Sequence, residues 1–237
     1  MDRNNIIYGR NPVKESLKVG RVVSIFVSDS FNDKSIIDLA KQNKLTLNRV
    51  SNQELDKKCM GGVHQGVMAI IKPYEYLDLN EIIRRSKQKE IPVIVILDGI
   101  EDPHNLGAIL RCADVFDVSG VIVGKHNQVP LNSTVAKTSA GAINYVPVGV
   151  VNNLNHAITK LKESGFWVVS TDGSAKISYT ELKYDFPVAL VIGSEGQGVS
   201  KLVITNSDYV VKIPQSGHVN SLNASVAAGI LLARIRS

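Results

Sequence analysis

Little in this 237-residue chain suits cross-linking or crossing a bilayer. Cysteine occurs only at Cys59 and Cys112. Two thiols exclude a disulfide framework and suit a reducing compartment. His64 lies close to Cys59, but no second ligand pair accompanies them, so no metal site is expected. No apolar run approaches the length of a membrane span, and the opening "MDRNNIIYGR" has no signal-peptide apolar region. A cytoplasmic protein with no membrane partner is the expectation. No G-K-[ST] follows a glycine-rich turn, which excludes a P-loop. No nucleophile-elbow serine accompanies His104 or His218, so a hydrolase triad is not expected, and His218 reads as a loop residue.

What is present is enough apolar sequence for a core: 44% hydrophobic residues against 21% charged. The charge is unevenly placed. Residues 1–72 carry twelve Lys or Arg against seven Asp or Glu, and 73–237 carry fifteen of each, so the whole net charge of +5 lies in the first third. That bias suits a polyanionic partner, or a solvated surface that is simply basic.

The patterning predicts a small α/β unit over 1–72, a linker with a short helix over 73–90, and a larger α/β domain over 91–237. In the first unit "NPVKESLKVG" (11–20) reads as a helix capped by Asn11 with Pro12 at its first position. Asp33 and Ser51 stand where two more helices begin. The linker reading rests on the polar, densely charged run "PYEYLDLNEIIRRSKQKE". Beyond it, "IPVIVILDGI", "VSGVIVG", "NYVPVGV", "FWVVSTD", "FPVALVIG" and "YVVKIP" alternate with helical patterns. Continuous apolar strands between helices indicate a mainly parallel sheet covered on both faces.

In such a sheet ligands bind beyond the carboxyl ends of the strands, and three ends are unusual. After "ILDGI" a tight acidic loop leads into a helix containing Asn105 and Arg111. Asn105 reads as a cap or a site residue. Arg111 reads as a surface partner of Asp114, or as a group facing a phosphate or developing oxyanion. After "ALVIG" come glycines at 193, 196 and 198 with Glu195 among them. The order G-x-x-G-x-G is not the dinucleotide fingerprint, and a carboxylate there suits a hydroxyl, an amide or a cation better than a phosphate. After "YVVKIP", Asn220, Ser221, Asn223 and Ser225 crowd the start of the last helix. A helix start needs one or two such capping groups; the surplus points to a ligand. The three ends together suit an uncharged heterocycle with a sulfonium or ribose.

"NLGAILR" (105–111), "IGSEGQG" (192–198) and "IPQSGHVNSLNASVA" (213–227) resemble, in order, the three motifs of the SpoU (TrmH) family of RNA ribose 2′-O-methyltransferases, over about 92–237. "IIYGRNPVKESL" (6–17) and "GGVHQGVMAI" (61–70) resemble the substrate-binding domain of that family's ribosomal-RNA members. The resemblance implies an α/β fold whose C-terminal segment is threaded into a deep trefoil knot (the SPOUT fold). It implies S-adenosyl-L-methionine as cofactor, held largely by backbone around Gly193, Ile213 and Leu222. The active site would comprise Asn105, Arg111, Glu195, Ser221 and Asn223, near the interface of a homodimer. It also implies an RNA partner, with a guanosine of large-subunit ribosomal RNA ahead of transfer RNA or a non-catalytic role in ribosome assembly.

Overall fold

A computed structural model describes residues 5–126, 129–218 and 221–237. The chain runs β1 (Ile6–Tyr8), α1 (Arg10–Lys18), β2 (Val22–Ser28), α2 (Lys34–Gln42), β3 (Leu47–Val50), α3 (Asn52–Lys58) and β4 (Val67–Ile71). It continues through α4 (Leu79–Ser86), β5 (Val93–Asp98), α5 (Pro103–Val115), β6 (Gly120–Gly124), α6 (Ser133–Thr138), β7 (Val148–Val151) and α7 (Leu154–Glu163). Last come β8 (Trp167–Thr171), β9 (Ile177–Ser178), β10 (Val188–Gly193), α8 (Lys201–Thr205), β11 (Tyr209–Lys212) and α9 (Ala224–Ile235). Two compact units result: Met1–Tyr74 with Pro130–Tyr145, and Glu75–Val129 with Val146–Ser237.

The first unit holds a mixed sheet in the order β1-β4-β2-β3. Leu17, Ile25, Val27, Ile36 and Leu55 are fully buried in it. Asp33 and Ser51 accept backbone N–H bonds at the starts of α2 and α3, as expected. Helix α1 differs from expectation. Gly9, at φ +92, turns the chain from β1 straight into the helix, so Asn11 and Pro12 lie inside the first turn and no side chain caps it. Residues 130–145, expected with the larger domain, belong to this unit. Asn144 donates to Ser16 Oγ at 3.2 Å, Tyr145 donates to Glu15 Oε2 at 2.5 Å, and Lys137 Nζ sits 5.2 Å from the Tyr8 ring centroid.

The second unit holds a seven-stranded sheet in the order β7-β6-β5-β10-β8-β11-β9, every pair parallel. Strand β10 is buried along its whole length, and β5 at all but its last residue. Burial on both faces is why these strands read as unbroken apolar runs. On one face Leu79, Ile82 and Ile83 of α4 and Ile158 and Leu161 of α7 cluster with Ile94, Ile96 and Val191 of the sheet. On the other, α9 lies against α5 and β10.

The 73–90 segment is thus not a linker. Asp78 caps α4 by accepting from Glu81 N–H, and the helix buries its apolar stripe while Arg84 and Arg85 pair with Glu81 on the outside. Leu77 also bridges to Gly149 at the sheet edge. The charged outer face conceals a core-facing stripe.

The C-terminus is clamped. The Arg236 guanidinium donates to the carbonyls of Phe116, Ile91 and Asp117 at 2.9, 2.9 and 2.8 Å. Hydrogen bonds from a charged donor are worth about 1.5–3 kcal/mol each when buried and less where solvent competes. Arg236→Ala is therefore expected to lower unfolding stability by about 2 kcal/mol, read as an earlier urea midpoint at unchanged slope. An unmoved midpoint would show that water replaces the clamp.

Candidate active site

Two cavities open at the carboxyl ends of the central strands. The first, about 170 Å³, lies beyond β8, β10 and β11 against the start of α9. Gly193, Ile213, Ser221, Leu222 and Glu195 all line it. The second, about 400 Å³, lies beyond β5 and β10, where Gly99–Asp102 and Asn105 face Ser194–Gln197. Glu195 lines both.

At that boundary three side chains from distant parts of the chain meet. Asn105 Nδ2 donates to Glu195 Oε1 at 2.9 Å. Asn223 Nδ2 donates to Asn105 Oδ1 at 2.8 Å and also to Glu195 Oε1. The other side of the Asn223 amide caps α9, its Oδ1 accepting from Ser225 N–H at 2.9 Å and Val226 N–H at 3.2 Å. One asparagine thus both caps the helix and completes the cluster. Asn220 lies outside the described residues. Asn105 does not cap its helix: Asp102 does, accepting from His104 N–H at 2.9 Å. The Asn105 side chain, in a residue only 8% exposed, is committed to the cluster instead.

The backbone of the first cavity tolerates no side chain at Gly193. A Cβ there would lie 2.1–2.3 Å from the Gly198 and Val199 backbone. The 194–199 turn closes on itself through Gly198 N–H to Ser194 O at 2.9 Å. Asp98 Oδ2 holds its far end by accepting from Ser200 N–H at 2.8 Å.

Thr171, Asp172 and Gly173 also line the first cavity, and sequence reasoning did not single them out. Their signal was present, since "FWVVSTD" is another strand whose carboxyl end the same placement rule covers. Asp172 accepts from Ser174 Oγ at 2.5 Å and Ser174 N–H at 2.7 Å. These bonds hold its carboxyl below the usual range, so a carboxylate faces whatever enters.

Arg111 stands apart. It is exposed on α5 and lines neither cavity of its own chain. One turn further along α5 Val115 is 69% exposed, and on α9, which packs against α5, Val226 is 49% exposed.

The lining of the first cavity fits a nucleoside carrying a cationic group. Ile192, Ile213 and Leu222 are apolar, Gly193 and Gly198 bring backbone close, and Asp172 and Glu195 are carboxylates suited to ribose hydroxyls or a positive charge. Among the described residues no cluster of His, Cys, Asp and Glu could hold a metal ion.

Solved structures share this fold. The AdoMet-bound rRNA methyltransferase from Sinorhizobium meliloti superposes with a TM-score of 0.83 at 24% identity, covering 99% of this chain and 87% of that one. The SpoU methyltransferase AviRb from Streptomyces viridochromogenes, in complex with AdoMet, gives 0.81 at 22% identity, covering 97% and 88%. The fold is thus the α/β fold of the SPOUT methyltransferases, a parallel sheet with flanking helices, with a small α/β domain besides. In sequence, residues 92–233 match the SpoU rRNA Methylase family, and residues 6–77 match the RNA 2'-O ribose methyltransferase substrate binding family. A relative from Staphylococcus haemolyticus, provisionally named a TrmH family tRNA/rRNA methyltransferase, is 47% identical over 232 residues, covering 96% of this chain and 93% of its own. One of the same provisional name from Staphylococcus aureus MSSA476 is 44% identical over 234 residues, covering 97% and 94%. The chain belongs to the SpoU (TrmH) family and is an RNA methyltransferase.

Proposed function

We propose that this enzyme transfers a methyl group from S-adenosyl-L-methionine to the ribose 2′-hydroxyl of a guanosine in large-subunit ribosomal RNA, acting in the cytoplasm as a homodimer. The observation that carries the reading is the pair of adjoining cavities sharing Glu195. One suits a methyl-donating nucleoside and the other a nucleotide. When bound, the cofactor supplies a sulfonium methyl, already a good electrophile.

The chain's own residues have the harder task of presenting a weakly acidic hydroxyl. Gly193, Ile213 and Leu222 hold the donor, and Ser221, at the lip of the same cavity, offers a hydroxyl. The Asn105–Glu195–Asn223 cluster fixes the shared wall, so the two cavities keep a constant separation. Such positioning can supply up to about 7–11 kcal/mol in ideal systems. Arg111 supplies the cation for a phosphate or the nascent alkoxide. A guanidinium keeps its proton at neutral pH, so electrostatic stabilisation suits it better than base action.

Support for guanosine comes from Glu101, Asp102 and Glu195 around the second cavity. Carboxylates accept hydrogen bonds, and guanine offers N–H donors on its pairing edge. Support for a homodimer comes from exposed Val115, one turn from Arg111 on α5, and exposed Val226 on the adjoining α9, apolar groups that a second copy would cover.

The test is incubation with isotopically labelled donor and unmodified RNA, with mapping of ribose positions resistant to alkali. Label on a ribosomal guanosine is expected. Label on transfer RNA alone, or on a base, would refute the reading.

The dual role of Asn223 gives a sharper expectation. Asn223→Ala should cost about 1 kcal/mol of stability through loss of the helix cap and remove methyl transfer. Asn223→Ser keeps a capping oxygen but no amide donor, so it should recover most of the stability and none of the activity. Full activity in Asn223→Ser would rule out the amide as a positioning group.

A further inference from the structure

Apart from the two cavities of the second unit, the first unit has one of its own. A cavity of about 230 Å³ opens between β1, the end of α3 and the start of α6. Tyr8, Cys59 and Met60 give it an aromatic and sulfur-bearing wall, Lys57 and Lys58 supply charge, and Ser133 stands on the α6 side. Among the described residues no acidic side chain lines it.

The wall is built in place. A Cβ on Gly62 would fall 2.5–2.6 Å from the Tyr8 ring, so the 61–62 turn lies flush against that ring and fixes it. Met60, at φ +52, lifts its thioether outward and is 71% exposed, with Val63 nearby at 68%. Lys137 Nζ lies 5.2 Å from the Tyr8 ring centroid, and Lys58 Nζ 5.4 Å from that of Phe26. Burial, reinforced by the Asp56 carboxylate, pushes the Cys59 thiol up to about 11, so this part of the wall is neutral.

An aromatic face, an exposed flexible thioether and neighbouring lysines, of which Lys58 is shared with Glu54 at 3.5 Å, are what a single unstacked nucleotide needs. The base stacks on the ring and the flanking phosphates meet cations. Among the described residues the charged groups lining the opening, Lys57 and Lys58, are both positive, which favours a polyanion over a protein partner. We propose that this cavity takes one splayed-out base of the RNA substrate, its face on Tyr8 and Met60 and its phosphates on Lys57, Lys58 and Lys137. The proposal rests on the RNA-methylating reading above and adds that the first unit grips a looped nucleotide rather than a duplex.

The test uses the full chain and in vitro transcribed, unmodified large-subunit ribosomal RNA. Met60→Glu places a carboxylate at an exposed position of the rim, and Ser133→Phe fills the cavity from the opposite side. Each should raise KM for the RNA about tenfold, the scale of one stacked base, with kcat at saturating RNA and affinity for S-adenosyl-L-methionine unchanged. With 4-thiouridine in the transcript, photo-cross-links should fall on the 57–60 peptide of the unaltered protein and vanish in Met60→Glu. The proposal is overturned if KM is unmoved in both folded variants, if cross-links fall only elsewhere, or if a captured protein occupies the cavity while RNA binding is undisturbed. Should no RNA be methylated although donor and RNA both bind, the functional reading fails. The cross-link position then decides the cavity on its own.

Discussion

Arg111→Ala should lower RNA methylation about 10²–10³-fold, the scale for removing one donor to a developing oxyanion, and leave affinity for S-adenosyl-L-methionine unchanged. Arg111 is exposed and lines neither cavity of its own chain, so its loss removes no contact from the cavity proposed for the cofactor. Single-turnover rates at saturating RNA, with calorimetric titration of the cofactor, separate the two effects. Loss of cofactor binding together with turnover would show that Arg111 supports the fold instead. The distance of Arg111 from its own cavities adds a second arm. If it serves the second copy in a dimer, mixing Arg111→Ala subunits with subunits defective only in cofactor binding should regain activity. Equally dead mixtures would confine Arg111 to its own subunit.

Gly193→Ala should abolish cofactor binding with a single methyl group. The added carbon meets backbone atoms of Gly198 and Val199 at 2.1–2.3 Å, and no flexible side chain is there to give way. The 194–199 turn must move outward, taking with it Glu195 and the wall between the cavities. Overpacking of a well-fitted site costs about 1–3 kcal/mol in stability, a small matter beside a cofactor cradle that no longer closes. The expected result is no detectable cofactor heat on titration, with circular dichroism intact and a modestly earlier thermal midpoint. Gly196→Ala is the control, since nothing lies within 4 Å of a Cβ there. Cofactor affinity in Gly193→Ala equal to that of Gly196→Ala would show that the turn yields freely.

The parallel sheet was legible because β5, β6 and β10 are sequestered on both faces and so carry unbroken apolar runs. The two-residue β9 leaves no such trace. Helix α4 misleads because Glu81, Arg84 and Arg85 outweigh the Leu79, Ile82, Ile83 stripe in any count of polarity. The placement of 130–145 with the first unit depends on side-chain pairs such as Asn144 with Ser16, separated by 128 residues, which no local pattern displays. In the site, one residue of the polar run at the last helix, Asn223, both caps α9 and bonds to Asn105. Yet Asn105 and Asn223 are 118 residues apart and Asn105 and Glu195 are 90 apart, so their hydrogen bonding emerges only once the sheet has assembled. The family resemblance named these residues; the fold shows that they touch.

Ser221, Leu222, Ala224 and Ala227 form one wall of the first cavity, and the helix they lead into buries Ala228, Leu231 and Leu232 against α5 and β10. Cavity wall and sheet cover are therefore one structure. A substitution that unseats α9 cannot loosen the cavity without also baring apolar surface, so damage to this helix should register in stability as well as in binding.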